Sequence, residues 1–254
     1  MGLLAGKTAL VTGGSRGIGR KIVDRLIDSG ALVAFNYASN HAAAKEAVAE
    51  IEARGGEAFA IQAELGRDGS IESLVEALEA GLRERRGDPG LDILVNNVGG
   101  GSPARIAETT GEFLDQTYAV NLRAPFLLTR ALMPHLRDGG RVVNISSATV
   151  RVGFEDAAAY VCCKAALDTF SHLLAKELGG RGITANSIAV GRTAGETNAE
   201  FFSDPARVAQ IADVTALRRV GTEDDVAGVV HAVISPDAGW ITGQVIDATG
   251  GFKI

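Results

Sequence analysis

The sequence predicts an α/β fold: a single doubly wound parallel sheet of about seven strands with helices on both faces. Short apolar runs rich in β-branched residues alternate with helix-length stretches along the whole chain, as in repeated strand–helix units. Within the runs, polar and apolar residues do not alternate, which indicates strands buried on both faces. Ligands of such sheets bind at the carboxyl ends of the strands, so we expect the loops after the strands to carry the functional residues.

The runs expected to form strands are Thr8–Thr12, Leu32–Tyr37, Ala58–Ile61, Leu91–Asn96, Arg141–Ser146, Ile183–Ala189 and Gln244–Ile246. The stretches expected to form helices are Arg20–Ser29, Ala42–Arg54, Ser70–Arg86, Ala124–Leu136, Ala157–Leu178 and Asp224–Ile234. No linker or low-complexity tract interrupts them, so residues 1–254 are expected to form one domain. The polar stretch Gly191–Asp213 is weakly periodic, and we expect it to form a substrate lid, either mobile or built from short helices.

Composition and charge argue against several classes of protein. The formal net charge is −6 and no run of Lys and Arg occurs, so nucleic acid is not an expected partner. Neither a signal peptide nor an apolar run of about 18 residues is recognisable, so secretion and a membrane location are not expected. Cys162 and Cys163 are adjacent, which does not suit an ordinary disulfide and fits a reducing cytoplasm. The four histidines form no ligand cluster, so no metal is expected.

A glycine-rich loop, Thr12–Gly19, lies between the first strand and the first helix. Its spacing is Gly-x3-Gly-x-Gly, and the residues expected to contact a dinucleotide are Gly13, Ser15, Arg16, Gly17, Ile18 and Gly19. Glycines permit positive φ angles and close approach of the backbone, and the helix N-terminus attracts a pyrophosphate. A glycine cluster alone also fits a tight turn. Its position directly after the first strand favours the dinucleotide site of a Rossmann-like fold.

Four polar residues form a candidate catalytic group. Tyr160 and Lys164 are four residues apart in a helical stretch, so they share one face, where an ammonium near the phenol is expected to lower its pKa. Ser147 ends a strand, where its hydroxyl can donate to a substrate carbonyl, and Asn121 follows a helical stretch, where it can hold a water molecule. Taken singly, each residue also fits a structural role, such as a helix cap or a solvated side chain.

Together these motifs resemble the short-chain dehydrogenase/reductase superfamily over nearly the whole chain. The closing segments, Arg219–Gly221 with Asp224 and Asp225 and Trp240–Gly251, resemble those of bacterial 3-oxoacyl-carrier-protein reductases in particular. Thr12–Gly19 resembles the cofactor loop of that family, and Asn96–Gly99 resembles its Asn-Asn-Ala-Gly element with Val98 in place of the alanine. The residues that match its catalytic tetrad are Asn121, Ser147, Tyr160 and Lys164. Val190 and Gly195 stand where the family commonly has proline and threonine, which leaves the nicotinamide pocket and the lid less well defined.

The resemblance implies a role for each of these residues. Tyr160 would donate a proton to the carbonyl oxygen and Ser147 would polarise it, while Lys164 would lower the pKa of Tyr160 and bind the nicotinamide ribose. Asn121 would hold a water molecule that connects Lys164 to solvent. Further cofactor contacts are implied for Glu64, Leu65, Asn97, Gly99 and Thr193. The resemblance also implies a homotetramer, paired through the helices Ala124–Leu136 and Ala157–Leu178 and through the C-terminal strand.

The end of the second strand indicates a preference for NADP(H), with NAD(H) still possible. No Asp or Glu occurs there before Glu46, so the carboxylate that would accept from the ribose hydroxyls of NAD is missing. Arg16 is positioned to reach a 2′-phosphate, and the polar residues expected beside it are Asn36, Ser39 and Asn40, with Tyr37 and Ala38 in the same stretch. The alternative is a solvated Arg16 and an ordinary polar turn.

We therefore expect NADPH-dependent reduction of a ketone to a secondary alcohol, on a 3-oxoacyl thioester, a polyketide or a similar carbonyl compound. The substrate would be a free small molecule or one bound to a carrier protein. Two alternatives stay open: an NAD-dependent secondary-alcohol, sugar or steroid dehydrogenase, and a dinucleotide-binding regulator without turnover. A regulator without turnover is expected to have lost the catalytic tetrad, whereas this chain retains Ser147, Tyr160 and Lys164.

Overall fold

Seven parallel strands form the central sheet of the protein, whose computed structural model describes residues 2–254. They are β1 (Thr8–Val11), β2 (Leu32–Tyr37), β3 (Glu57–Gln62), β4 (Leu91–Asn96), β5 (Leu136–Ser147), β6 (Thr184–Val190) and β9 (Val245–Ala248). Their order is β3-β2-β1-β4-β5-β6-β9, and every neighbouring pair is parallel. Two short strands, β7 (Thr193–Ala194) and β8 (Gly221–Thr222), pair apart from this sheet. The predicted fold class is confirmed.

Helices cover both faces of the sheet. The α-helices of the described chain are α1 (Gly17–Asp28), α2 (His41–Ala53), α3 (Ser70–Arg86), α4 (Gly111–Tyr118), α5 (Ala124–Leu132), α6 (Thr149–Val152), α7 (Ala158–Leu178), α8 (Pro205–Asp213) and α9 (Glu223–Ile234). Apolar residues of α1, α2 and α9 pack on one face and form the first core cluster. Those of α3, α5 and α7 pack on the other face and form the second cluster. The two layers hold the strand ends, and hence the crevice, in a fixed geometry.

The helix predicted over Ala124–Leu136 is four residues too long at its C-terminal end. Helix α5 ends at Leu132, and Leu136 is instead the first residue of β5, where it pairs with Leu91. Pro134 lies between them; it has no N–H group to donate and disfavours the helical conformation at the residue before it. The helical interpretation failed because Leu128, Leu132 and Leu136 continue the same apolar spacing across this turn.

Two helical features in front of α5 were not predicted. Helix α4 covers residues 111–118, and a π-helical turn, Ala119–Arg123, joins it to α5. Such turns insert one extra residue into a helix and redirect the side chains that follow. Asn121 lies in the middle of this turn and is fully buried.

The segment that contains residues 191–213, for which a lid was expected, holds short regular elements. It begins with β7, continues with a 3-10 turn, Glu196–Asn198, and ends with α8. The Asn198 amide donates to the Thr193 carbonyl at 2.8 Å, and the Glu196 N–H donates to the Glu223 carboxylate at 3.2 Å. A Cβ atom on Gly195 would lie 1.8 Å from a carboxylate oxygen of Glu223, so a larger residue at position 195 would require the Glu223 side chain to turn away from the segment.

Within residues 2–254, no helix is both long enough and apolar enough to cross a lipid bilayer.

Candidate active site

The glycine loop and the start of α1 form one wall of the crevice. Gly13 and Gly17 have φ angles of 67° and 62°, a conformation that residues with side chains rarely adopt. A Cβ atom on Gly19 would lie 2.1 Å from the Gly13 carbonyl oxygen, so only glycine fits there. Helix α1 has no acidic residue in its first turn and no side chain that caps it. Its free N–H groups therefore form a site suited to a phosphate-sized anion.

Thr12 and Asn97 connect this loop to the end of β4. The Thr12 hydroxyl oxygen accepts from the backbone N–H groups of Asn97 at 2.8 Å and of Val98 at 2.9 Å. The Asn97 amide donates to the Thr12 carbonyl at 2.8 Å. The two other residues predicted in the loop, Ser15 and Ile18, are half-buried, and Ile18 packs on the first core cluster. The side chain of Asn97 thus supports the loop, which leaves the exposed backbone as the surface open to a ligand.

The expectation that Asn36 donates hydrogen bonds to a 2′-phosphate is wrong. Its side chain is buried, 1% exposed, and both ends of its amide are engaged. The oxygen accepts from the Gly13 N–H at 2.8 Å, and the nitrogen donates to the Ala63 carbonyl at 2.7 Å. A buried polar side chain at this position of β2 must find hydrogen-bond partners inside the protein rather than in solvent. Asn36 therefore ties the glycine loop to the residue that follows β3.

The residues after β2 keep an exposed polar surface. Ala38 and Ser39 are exposed, as is Arg16 in the glycine loop. Arg16 takes part in none of the ion pairs of residues 2–254, so its guanidinium is free to meet an anion. Asn40 is partly engaged, since its side-chain oxygen accepts from the Ala43 N–H at 3.0 Å and caps α2.

Three other predicted cofactor contacts border the same surface. The Tyr37 hydroxyl lies 3.0 Å from Nδ1 of His41. The Glu64 carboxylate is paired with Arg67 at 3.0 Å, and Leu65 is buried. Glu64 therefore reaches a neighbouring turn rather than across the crevice.

Ser147, Tyr160 and Lys164 meet at the carboxyl end of β5. Lys164 is 2% exposed, and its ammonium donates to the Ile145 carbonyl at 2.8 Å while lying 5.6 Å from the centre of the Tyr160 ring. A Cβ atom on Gly99 would lie 2.8 Å from that ammonium nitrogen. The absence of a side chain at position 99 is what allows the β4 loop to approach Lys164.

Asn121 completes this group by holding the β4 loop. Its amide nitrogen donates to the carbonyls of Gly100 at 2.7 Å and Thr117 at 2.9 Å, and its oxygen accepts from the Gly100 N–H at 2.9 Å. Both side-chain donors are thus used within the protein. The predicted Asn121, Ser147, Tyr160 and Lys164 lie around the end of β5, with Asn121 in contact through the Gly99–Gly100 loop.

The pKa values of this group differ from the sequence-based expectation. Burial raises the pKa of Tyr160, and interaction with the Ser147 hydroxyl opposes this only in part, so the expectation that Lys164 lowers it is wrong here. Burial also lowers the pKa of Lys164 to about 8, against the opposing effect of Asp168. The ammonium is directed at the Ile145 carbonyl, and desolvation of the phenol is the larger effect.

Thr149 orients the Ser147 hydroxyl and was not predicted. The Ser147 oxygen accepts from the Thr149 hydroxyl at 2.9 Å and from its N–H at 3.3 Å. With its lone pairs directed at Thr149, the Ser147 O–H is left to donate into the crevice. No motif in the sequence marks position 149.

Thr193, the last predicted cofactor contact, is buried in β7. Its hydroxyl donates to the Gly191 carbonyl at 3.2 Å.

A glycine loop with free N–H groups at the centre of a doubly wound sheet, next to Tyr160 and the buried Ser147 and Lys164, defines the class of protein: an NAD(P)-dependent oxidoreductase. The sequence profile described as enoyl-(acyl carrier protein) reductase matches residues 13–253. The chain belongs to the short-chain dehydrogenase/reductase superfamily, as its motifs had indicated.

Three relatives illustrate the similarity. The reductase LugOII, described as catalysing keto-reduction at C1 in lugdunomycin biosynthesis, is 47% identical with a TM-score of 0.94, covering 99% of each chain. The angucycline C-6 ketoreductase LanV with bound NADP is 43% identical with a TM-score of 0.94, covering 99% of this chain and 97% of LanV; another LanV structure holds NADP and rabelomycin. A versicolorin reductase of Emericella nidulans is 37% identical over 98% of this chain and 96% of its own.

Replacement of Asn36 by aspartate tests its structural role. Asn36→Asp places a carboxylate oxygen against the Ala63 carbonyl and removes a buried hydrogen bond, so we expect the free energy of unfolding to fall by about 2 kcal/mol. Urea unfolding measures it, and Ser39→Asp, which adds the same charge at an exposed position, is the control. Equal losses in the two variants would show that Asn36 does not anchor the loop.

The buried ammonium of Lys164 predicts a stability that depends on pH. Between a folded pKa of about 8 and the ordinary value of 10.5, the unfolded chain retains a proton that the folded protein has released. Stability must therefore rise with pH in this window relative to Lys164→Met, by about 2–3 kcal/mol at most. Urea unfolding at about pH 7.5 and about pH 10 measures it, with Lys176→Met, an exposed lysine of the same helix, as the control. Identical pH dependence in wild type and Lys164→Met would contradict the assignment.

Proposed function

We propose that the protein reduces a ketone of an aromatic polyketide to a secondary alcohol with NADPH. The observation that carries the proposal is the Ser147 hydroxyl, oriented by Thr149 and next to the Tyr160 hydroxyl at the end of β5. The choice of an aromatic polyketide as the substrate is supported by the relatives, which include an angucycline C-6 ketoreductase and a versicolorin reductase. This choice narrows the wider group of ketones, which includes carrier-bound 3-oxoacyl thioesters, that the sequence left open.

The residues present fit a dinucleotide phosphate. The N–H groups of the glycine loop and of α1 would bind the pyrophosphate, and the exposed Arg16 and Ser39 would bind the 2′-phosphate. Lys164, Gly99 and Thr193 border the place where the nicotinamide end would lie. When bound, the cofactor supplies the hydride. Bound NADP in the LanV structures supports the choice of NADP(H) over NAD(H).

Ser147 and Tyr160 would act together on the carbonyl oxygen. The Ser147 O–H donates a hydrogen bond and polarises the carbonyl, and the Tyr160 hydroxyl gives up its proton as negative charge develops on the oxygen. Burial raises the pKa of Tyr160, which keeps the phenol protonated but makes it a weaker acid, so transfer of its proton would depend on the positive charge of Lys164 nearby.

Lys164 would hold a positive charge next to Tyr160 and restore its proton. With a pKa of about 8, its ammonium releases and regains protons near neutral pH. Because both donors of the Asn121 side chain are engaged, a water molecule that connects Lys164 to solvent would bind the main chain of the π-helical turn. Lys164 would also meet the ribose hydroxyls of the cofactor.

The wider organisation of the protein is also a proposal. Exposed apolar residues lie on the α4, α5 and α7 side, at Leu114, Phe126 and Leu173, and beside the edge strand β9, at Trp240 and Val245. Two such surfaces support a homotetramer with two kinds of two-fold contact. Segment 191–213 would act as the substrate lid of one 254-residue domain, and the unpaired Cys162 and Cys163 support a cytoplasmic location.

Loss of the Tyr160 hydroxyl tests the catalytic proposal. In wild type we expect NADPH oxidation with bicyclic and polycyclic aromatic ketones, and in Tyr160→Phe a fall in kcat of about a thousandfold, because no proton reaches the carbonyl oxygen. NADPH titration should show cofactor binding within about twofold of wild type. Tyr118→Phe, an exposed tyrosine outside the crevice, is the control. Turnover by Tyr160→Phe close to wild type would refute the mechanism.

Cofactor preference is tested at Arg16. We expect kcat/KM to favour NADPH over NADH, and the ratio to fall by about tenfold in Arg16→Ala through loss of a charge-assisted contact to the 2′-phosphate. Ser39→Asp should lower the NADPH-to-NADH ratio further, because a carboxylate there would repel the 2′-phosphate. The matched control is Arg25→Ala, which removes an exposed arginine later in α1. A wild-type preference for NADH, or an unchanged ratio in Arg16→Ala, would rule out the 2′-phosphate site.

A further inference from the structure

Three cationic side chains surround two phenyl rings beside the catalytic serine. The Arg192 guanidinium lies 4.7 Å from the centre of the Phe154 ring and 5.3 Å from that of Phe201. The Arg207 guanidinium lies 4.6 Å from the centre of the Phe201 ring. The Lys253 ammonium lies 5.4 Å from the Phe154 ring. Together these five residues form what we call the cation–aromatic cluster.

The cluster is joined to the active site through the sheet. Ser147 at the end of β5 pairs with Val190 at the end of β6, and the Ala148 N–H donates to the Val190 carbonyl at 2.9 Å. Arg192 follows Val190 by two residues and precedes the buried Thr193. Phe154 lies in the loop between Ser147 and Tyr160. The cluster therefore borders the side of the crevice on which a substrate carbonyl would approach Ser147.

The charges of the cluster are not balanced by the protein. None of its three cations takes part in an ion pair within residues 2–254, and the neighbouring acids pair elsewhere, Glu155 with Arg105 and Asp247 with Arg151. Asp156 acts on Arg192 only as a more distant charge that favours its protonated form. In a chain of net charge −6, such a local excess of positive charge concentrates anions at one place.

Arg192 in particular has unused hydrogen-bonding capacity. A guanidinium has five N–H donors, yet the side-chain hydrogen bonds of the described chain include none from Arg192. The fully buried polar atoms that lack partners lie elsewhere, at Asn96, Arg141, Ser146 and Asp168, and Arg192 is only half-buried, so its nitrogens are within reach of solvent. Burial lowers the pKa of Arg192, which means that the charged form would gain from an anion in contact.

We propose that Arg192, with Arg207 and Lys253 beside it, binds an ionised acidic group, a carboxylate or a phenolate, carried on the aromatic framework of the ketone substrate. The inference rests on the proposed function and specifies its substrate. The Phe154 and Phe201 rings face these cations and hold the Arg192 guanidinium between them, and that guanidinium can donate two parallel hydrogen bonds to a carboxylate or one to a phenolate. The ionised group thereby sets which ketone of the framework reaches Ser147.

Matched pairs of aromatic ketones test the subsite. A bicyclic aromatic ketone bearing a carboxylate is compared with its methyl ester, and a hydroxylated ketone with its methyl ether, with the substituent moved around the ring. At saturating NADPH we expect kcat/KM for the charged member to exceed that of the neutral member by about tenfold at one or more ring positions. A phenol should gain preference as the pH rises through its own ionisation, whereas a carboxylate should show a constant preference from about pH 6 to pH 9.

Charge-removing variants then locate the effect. Arg192→Gln should bring the charged-to-neutral ratio of kcat/KM close to one, Arg192→Lys should retain part of it, and Arg207→Gln and Lys253→Gln should each lower it by about threefold. The last two variants keep the test decisive if Arg192→Gln folds poorly. Arg83→Gln, on the exposed surface of α3, is the control. A ratio near one in wild type at every ring position, or an unchanged ratio in Arg192→Gln, would overturn the subsite.

Binding of the reduced products separates this inference from the proposed function. The secondary alcohols formed from the carboxylate-bearing ketones, and those formed from the methyl esters, are titrated calorimetrically into the enzyme with NADP⁺. We expect the carboxylates to bind about tenfold more tightly than the esters, and Arg192→Gln to abolish this difference. Reduction of neutral ketones without any charge preference would overturn the subsite and leave ketone reduction standing. Preferential binding of the acids with no turnover of any ketone would support the subsite and overturn the proposed function.

Discussion

The buried ammonium of Lys164 is the constraint on which the active site depends. A charged group that has left water must find partners inside the protein, and Lys164 finds the Ile145 carbonyl on β5. This contact fixes α7 against the sheet and so places Tyr160, one helical turn earlier. It also requires glycine at position 99, where a Cβ atom would meet the same ammonium nitrogen. The β4 loop, which Asn121 also holds through Gly100, comes this close to the charge because position 99 has no side chain.

Three asparagines support the crevice without facing it. Asn36 holds the glycine loop, Asn97 ties that loop to β4, and Asn121 ties the β4 loop to the π-helical turn. Asn36 and Asn121 each use both a donor and an acceptor on backbone groups, and Asn97 donates to the Thr12 carbonyl; an aspartate or a leucine of similar size could not donate these bonds. The backbone N–H groups of the loops are thereby left at the surface of the crevice, where a ligand can meet them.

The sequence was sufficient for the fold and for the expectation that Tyr160 and Lys164 lie together, since both depend on local patterns. Apolar runs located the seven strands, and the spacing from Tyr160 to Lys164 placed both on one face of a helix. It was not sufficient for the partners of polar side chains. Asn36 resembles a ligand contact in a linear motif, yet it bonds to Gly13 and Ala63, which are distant in the chain. The pKa of Tyr160 was likewise out of reach, because desolvation depends on the packed surroundings rather than on a charged neighbour four residues away.

The fit between Gly195 and Glu223 has a consequence for how this sequence can change over evolutionary time. A side chain at position 195 would overlap the Glu223 carboxylate where it now lies, so Glu223 would have to turn aside and release the Glu196 N–H. A larger residue at 195 therefore costs that hydrogen bond rather than a backbone clash, and the cost disappears once position 223 carries a residue that does not make the contact. The two positions are thus expected to change together more often than independently.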